Sequence, residues 1–437
     1  MNELNKLTIE SEATTYLLNN CLIFSLLDTD FYKFTMQQLV FHYFKTLKTK
    51  FKFKNRNDIP LAQYKTLVDA QLDMLCSLKF QPDEIDFLRD IEINNELVFK
   101  DDYLNSLKTF SLNRDKIATR ADSDGITLHV DIETDDWYFN ILFEVYVLSI
   151  INGIHSVIES CKNGGVEKFI NNGMERLQDK INYVKAQPLY LQNAFNMIEF
   201  GTRRRFLDVN YQIRCFDMLR TQLPDNIKTS SNVLVAKTYG LVPSGTMAHE
   251  VLQAMQAVVG IKHSQEYAFK MWQKEYGKNK LGIALSDVLG MNPFFVSFNR
   301  ELTESYQGMR QDSGCPKEWG DKVIKHYNFF DINPLSKDSV FSDGLDIPKS
   351  FDLLKYFYNR LTTYFGIGTN LTNDVGIKPL QIVLKMVSCD GKSVAKLSND
   401  ISKSMCEDIE YMNEVALVEK EMSETYKNLY YEEEVYA

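Results

Sequence analysis

From about residue 150 to residue 385 one pattern recurs: a short apolar run, then a cluster of Gly, Asp, Thr, Ser or Arg, then a helical stretch. Its instances are NMIEFGTRRR, NIKTSSNVLVA, LVPSGTMAHE, LGIALSDVLG, YQGMRQDSG, SVFSDGLDI and YFGIGTNLTND. Strands that alternate with helices pair in parallel through crossover connections. Seven such units predict an α/β fold whose sheet closes, or nearly closes, into an irregular barrel over 151–385. In such barrels the loops after the strand C-termini carry the site, and the polar clusters stand at those positions.

The flanks read differently. Residues 1–20 look like a polar, loosely held leader. FYKFTMQQLVFHYF and TLVDAQLDMLCSLKF (66–80) have helical spacing, while ITLHVDIE (126–133) alternates like a half-buried strand. Together, residues 1–150 predict an N-terminal α+β domain. Two alternating runs flank Asp390-Gly391, a hairpin signal, and an acidic helical tail runs from 407. This C-terminal stretch, 386–437, is expected to rejoin the first domain.

Lys and Arg number 49 against 59 Asp and Glu, a net charge of −10. So acidic a chain argues against nucleic-acid partners, whose phosphates need cationic neutralisation. It leaves room for a local basic pocket. The seven cysteines are odd in number and lack C-x-x-C spacing, which argues against a disulfide framework or zinc ribbon. No secretory leader is visible and no uninterrupted apolar run approaches 18 residues. A cytoplasmic protein without a membrane partner is expected.

Each candidate motif has a plain structural alternative. GIGTN (Gly366, Gly368, Thr369) offers backbone amides and a hydroxyl to a phosphate, yet is also an ordinary turn after a strand. Asp287, Asp312 and Asp343 follow apolar runs, where they either hold ribose and Mg²⁺ or merely cap helices. Arg203, Arg204 and Arg205 form the densest positive charge in the chain, a sink for carboxylate or phosphate, or a basic helix start. His249 in GTMAHE has no second His at ligand spacing, so a His-based metal site is poorly supported. Tyr32 in LDTDFYKF reads equally as helix packing.

The joint order of these pieces is more specific than any one. LLDTDFYKFTMQQ, EFGTRRRF, TSSN, GTMAHE, GIALSD, RQDSG, VFSDGLD, FGIGTNLTND and GKSVAKLSN together resemble the nicotinate phosphoribosyltransferase family, over about residues 25–400. The resemblance implies a type II phosphoribosyltransferase fold: an irregular α/β barrel with an α+β domain. It implies transfer of 5-phosphoribosyl from its 1-diphosphate to nicotinate, in NAD salvage, coupled to ATP hydrolysis through a phosphohistidine, with Mg²⁺. It also implies a homodimer with shared active sites. By the same resemblance His249 is the phosphorylated residue. Tyr32, Phe200, Arg203, Ser231, Thr246 and Arg310 form the nicotinate pocket, Tyr32 coming from the partner subunit. Asp287, Asp312 and Asp343 lie around ribose and the diphosphate, through which Mg²⁺ binds. Gly366, Gly368 and Thr369 hold the 5′-phosphate.

The related nicotinamide enzyme carries Asp where this chain has Ser231, whose hydroxyl can donate to a carboxylate. That tips the reading to the acid. Two departures stand out: Cys315 in DSGCP, where the family has Asp, and Tyr146, where bacterial members commonly have Pro and which reads as packing. The alternatives are a nicotinamide- or quinolinate-type enzyme, or a catalytically weakened dimeric homologue serving as scaffold or ligand sensor.

Overall fold

The computed structural model describes residues 3–397 and 405–431. Six parallel strands form the barrel sheet in the spatial order Ile227–Ser230, Asn196–Glu199, Thr362–Ile367, Asp338–Phe341, Gly308–Gln311, Ile283–Leu285. Six of the seven predicted units thus supply strands. The seventh, LVPSGTMAHE, forms none, because Pro243 lacks an amide for the ladder and Gly245 takes φ 143°. It serves instead as an irregular stave. Ser244 N donates to Ser230 O (2.9 Å), and Thr246 Oγ1 donates to Ile283 O (2.9 Å), so the segment joins the two edge strands. This seam is what makes the barrel irregular.

The seam is plugged from the first domain. Helix Phe31–Tyr43 enters there, with Thr35 Oγ1 donating to Thr246 O at 2.7 Å. It is buried on every side over its first ten residues, Phe31 to Val40, Lys33, Gln37 and Gln38 included. An amphipathic pattern leads one to expect a surface helix; here the polar face meets the barrel instead.

The five-stranded antiparallel sheet of the first domain runs Lys392–Ser393, Ile382–Cys389, Thr49–Asn55, Leu128–Thr134, Ile117–Ala121. Two of its strands come from the C-terminal hairpin. Asp390 (φ 49°) and Gly391 (φ 76°) make the tight turn that the sequence signals. The last helix, Ile409–Tyr431, takes another course and packs on the barrel: Tyr426 meets Phe295, and Tyr430 bonds the buried His326 (2.7 Å).

The leader is a correction. Residues Glu3–Asn19 form a helix, with Ala13 and Leu17 buried one turn apart. Gln71 fastens its end by donating to Leu17 O and Asn20 O. Polar composition concealed this narrow apolar seam. Helix Phe143–Lys162 crosses residue 150 without a break. The stretch Trp137–Lys162 is long and apolar enough to span a membrane (mean hydropathy 1.8), but its apolar window is 94% buried in protein. It is a core helix. Tyr146 packs there, fully buried, its hydroxyl bonded to Leu26 O. None of the seven cysteines forms a disulfide.

Candidate active site

Two cavities meet at the C-terminal ends of the barrel strands. The larger, about 640 Å³, is lined by the loops holding Phe200, Arg204, Lys349, Gly366, Gly368 and Thr369. The smaller, about 190 Å³, is lined by Tyr32, Glu144, His249, Arg56, Lys385 and Lys396. Arg203, Arg310 and Asp312 line both. The clustering follows from parallel topology, which brings every loop after a strand C-terminus to one end.

The three consecutive arginines take three directions. Arg205 is buried and makes a bidentate pair with Asp28, both contacts 2.5 Å, backed by Gln212 at 3.0 Å. For Arg205 the structural reading holds: it clamps the first domain to the barrel. Arg203 reaches the small cavity, facing Glu144 (3.6 Å) and Asp30 (4.0 Å). Arg204 faces the large one, and burial together with Arg203 and Arg56 pulls its pKa down to about 10, which still leaves it charged at neutral pH. The short 3₁₀ turn Thr202–Arg204, followed by the extended Arg205, sends the three neighbouring side chains in different directions.

His249 opens helix His249–Val259. Its Nε2 lies 2.8 Å from Asp287 Oδ1 and 3.6 Å from Asp312. Burial, and then the charge of Lys396, lower its pKa, against the opposing pull of Asp287 and Asp312. The ring is therefore neutral at neutral pH. With Nε2–H donating to Asp287, Nδ1 keeps its lone pair. Asp287 also accepts from Ser313 Oγ (2.6 Å) and Lys396 Nζ. Burial opposes its ionisation, but His249 and Lys396 outweigh burial and hold it well below the usual carboxylate range.

Arg310 is fixed by Ser342 Oγ (2.8 Å) and Asp312 Oδ1 (2.9 Å), and its guanidinium lies 5.6 Å from the Phe200 ring centre. Asp312 is likewise kept ionised against burial, chiefly by Arg310. Gly368 ends strand Thr362–Ile367 and caps the short turn Thr369–Thr372. The first amides of such a turn have no partner within it, and Gly368, Thr369 and Asn370 all line the large cavity.

Other predicted residues stand elsewhere. Ser231 is 4% exposed and donates to Asp30 Oδ1 (2.7 Å), so its hydroxyl is already engaged behind the pocket wall. Thr246 spends its hydroxyl on the barrel seam. Asp343 is exposed at the rim, its carboxyl raised by desolvation and by Asp312. Tyr32 lines the small cavity of its own chain. Cys315 is exposed, lines neither cavity and stands at the N-cap of helix Pro316–Phe329 without a side-chain capping bond.

Sequence reasoning overlooked the far wall. Arg56, Lys385 and Lys396 come from the antiparallel sheet and its hairpin, distant in sequence from the barrel loops. Burial, Lys396 and Arg56 lower the Lys385 pKa to about 8. The only signal for Lys396 was its place in GKSVAKLSN. Glu144 escaped notice because it stands inside an apolar helix, where Lys33 (2.7 Å) and Arg203 balance it.

His249, Asp287 and Asp312 present ligand atoms within 4.8 Å of one another. Lys396 and Arg310 already lie on those carboxylates. Such a set fits Mg²⁺ held mainly by phosphate oxygens rather than an all-protein cage.

The fold is an α/β barrel with two adjoining cavities at the C-terminal ends of its strands, a cationic site suited to phosphorylated substrates. The model of the nicotinate phosphoribosyltransferase (NAPRTase) N-terminal domain matches residues 27–152, and that of the nicotinate phosphoribosyltransferase (NAPRTase) family matches residues 195–427. A nicotinate phosphoribosyltransferase of Burkholderia ambifaria is 41% identical over 394 residues, covering 90% of this chain and 95% of its own. One from Xanthomonas euvesicatoria pv. vesicatoria is 41% identical over 396 residues, covering 90% and 96%. The crystal structure of the Vibrio cholerae nicotinate phosphoribosyltransferase superposes with TM-score 0.83 at 30% identity, covering 92% of this chain and 95% of that one. That from Porphyromonas gingivalis gives 0.79 at 27%, covering 92% and 99%. The chain belongs to the nicotinate phosphoribosyltransferase family.

Proposed function

We propose that the chain transfers the phosphoribosyl group of 5-phosphoribosyl 1-diphosphate to the ring nitrogen of nicotinate, with ATP hydrolysis coupled through phosphorylated His249. The observation that carries this reading is the common wall of Arg203, Arg310 and Asp312 between an amide-and-cation cleft and a cavity holding His249. The 5′-phosphate lies at Gly368 and Thr369, near Arg204 and Lys349. The pyridine ring lies between Phe200 and Tyr32, its carboxylate met by Arg203 and Arg310. The two arginines give a carboxylate a cationic seat, while Ser231, on which the sequence reading chose the acid, is turned to Asp30.

The pyridine nitrogen carries no proton, so no general base is required. Positive charge grows at the ribose C1 as diphosphate leaves, and the ionised Asp312 stabilises it. Arg56, Lys385 and Lys396 face the departing diphosphate. Asp287, Asp312 and Asp343 would hold Mg²⁺ together with the diphosphate, and the ion would supply positive charge to the leaving group. Neutral His249 attacks the ATP γ-phosphorus through Nδ1, expelling ADP. The phosphate adds about −1.5 to −2 charges beside Lys396. The same reading includes a homodimer as the working form, which sedimentation tests.

Diphosphate release on adding nicotinate, 5-phosphoribosyl 1-diphosphate, Mg²⁺ and ATP is the deciding assay. No release points to the scaffold or sensor, and equal turnover of nicotinamide refutes the acid pocket. His249→Ala is expected to abolish ATP coupling and leave slow basal transfer; unchanged ATP stoichiometry removes the phosphohistidine.

A further inference from the structure

Gly366 and Gly368 belong to one short motif but have different surroundings. Gly366 is buried inside strand Thr362–Ile367 and is registered in parallel against Ile198. Its backbone groups therefore belong to the sheet ladder. Gly368 lies beyond the strand end, at the mouth of the large cavity. Both glycines line the large cavity, but Gly366 does so from within the strand, and only Gly368 stands in the loop.

What Gly366 touches is Phe200. A Cβ built there would lie 2.4 Å from Cδ2 and 2.5 Å from Cε2 of that ring. No real Cβ is found that close to another heavy atom. The conflict is purely steric, since Gly366 does not have the positive φ that excludes other residues. The ring can yield only toward the large cavity that it lines. Phe200 N is tied to Ile367 O (2.9 Å), and Arg310 faces the ring at 5.6 Å. Arg310 is itself held by Ser342 and Asp312.

We propose that Gly366 is a positioning residue for nicotinate: its missing side chain is the seat into which Phe200 drops, which sets the face on which the pyridine ring stacks and its distance from Arg310. The inference rests on the reading in which Phe200 meets that ring. Any side chain at residue 366 lifts Phe200 out of its seat and into the space the pyridine ring needs. The absence of a side chain here thus serves the pyridine substrate, although the motif looks like a phosphate loop.

The test is a double-mutant cycle on the whole enzyme, with KM measured for each substrate and nicotinate binding measured directly by equilibrium dialysis. Gly366→Ala is expected to raise the nicotinate KM about tenfold or more, with the KM for 5-phosphoribosyl 1-diphosphate within about twofold of wild type. In a Phe200→Ala background the same substitution is expected to change neither KM by more than about twofold, because the obstructed ring is gone. A rise in the phosphoribosyl diphosphate KM that persists in the Phe200→Ala background would overturn the proposal and return Gly366 to the phosphate loop. If Gly366→Ala fails to fold, Phe200→Ala/Gly366→Ala decides: recovery of a folded enzyme supports the seat, and continued misfolding refutes it. If Phe200→Ala alone leaves nicotinate binding intact, the stacking reading itself has failed, a result distinct from additivity in the cycle.

Discussion

Asp287→Asn separates the two halves of the proposed chemistry. The Asp287 carboxylate accepts from His249 Nε2 (2.8 Å), Ser313 Oγ (2.6 Å) and Lys396 Nζ. An amide supplies one acceptor where two oxygens now serve three donors. With its oxygen turned to Lys396, its nitrogen donates to His249 Nε2. That reverses the imidazole tautomer and places the proton on Nδ1, removing the lone pair that attacks phosphorus. A reversed tautomer in a buried His–Asp pair costs on the order of 10²–10⁴ in rate. The stability cost is smaller. Lys396 is 15% exposed and keeps some contact with water, so losing its partner costs about 1–2 kcal/mol. The assay is acid-labile incorporation of labelled γ-phosphate, run beside nicotinate mononucleotide formation without ATP. Labelling is expected to fall at least about 100-fold, while basal transfer, in which Asp287 lies beside the diphosphate, falls by no more than about tenfold. Wild-type labelling would refute the tautomer argument; equal loss of both activities would mean that Asp287 acts on the transfer step itself.

Three other outcomes follow from the geometry. Arg205→Met leaves the fully buried Asp28 without its bidentate partner, so a loss of about 3–5 kcal/mol is expected in urea unfolding, and less than about 1 kcal/mol would disprove the clamp. Burial pushes the His326 pKa down to about 3, so the unfolded chain binds the extra proton between that value and 6.5; stability is complete above pH 6.5 and falls toward pH 3, by up to roughly 5 kcal/mol. His326→Gln is expected to flatten that acid limb, and an unaltered limb would clear His326. Cys315→Asp supplies the missing cap of helix Pro316–Phe329 and is expected to add about 1 kcal/mol in thermal unfolding with both KM values unchanged. A lowered KM for phosphoribosyl diphosphate would show that residue 315 reaches the substrate.

Much of this was legible along the chain because it depends on local period and local turn chemistry. Alternating runs mark the strands, Asp390-Gly391 marks the hairpin, and the polar ends of six barrel strands mark the cavity mouth. The motifs around His249, Arg310 and Gly368 are each contiguous, so the loops that carry the chemistry were visible before their arrangement was. The leader helix was missed because two buried residues, Ala13 and Leu17, barely mark a seam in a polar stretch.

The direction and neighbours of each side chain were decided only in three dimensions. Arg203, Arg204 and Arg205 are one cluster in sequence and three different contacts in space, because a single 3₁₀ turn fans them apart. Ser231 and Thr246 lie in the right motifs, but their hydroxyls are claimed by Asp30 and by the barrel seam, since a buried hydroxyl takes the partner that is there. Lys385 and Lys396 reach the site from a hairpin paired to the strand Thr49–Asn55, hundreds of residues away. Backbone pattern is a property of neighbours along the chain, whereas charge balance and steric fit depend on whichever groups folding brings within a few ångströms.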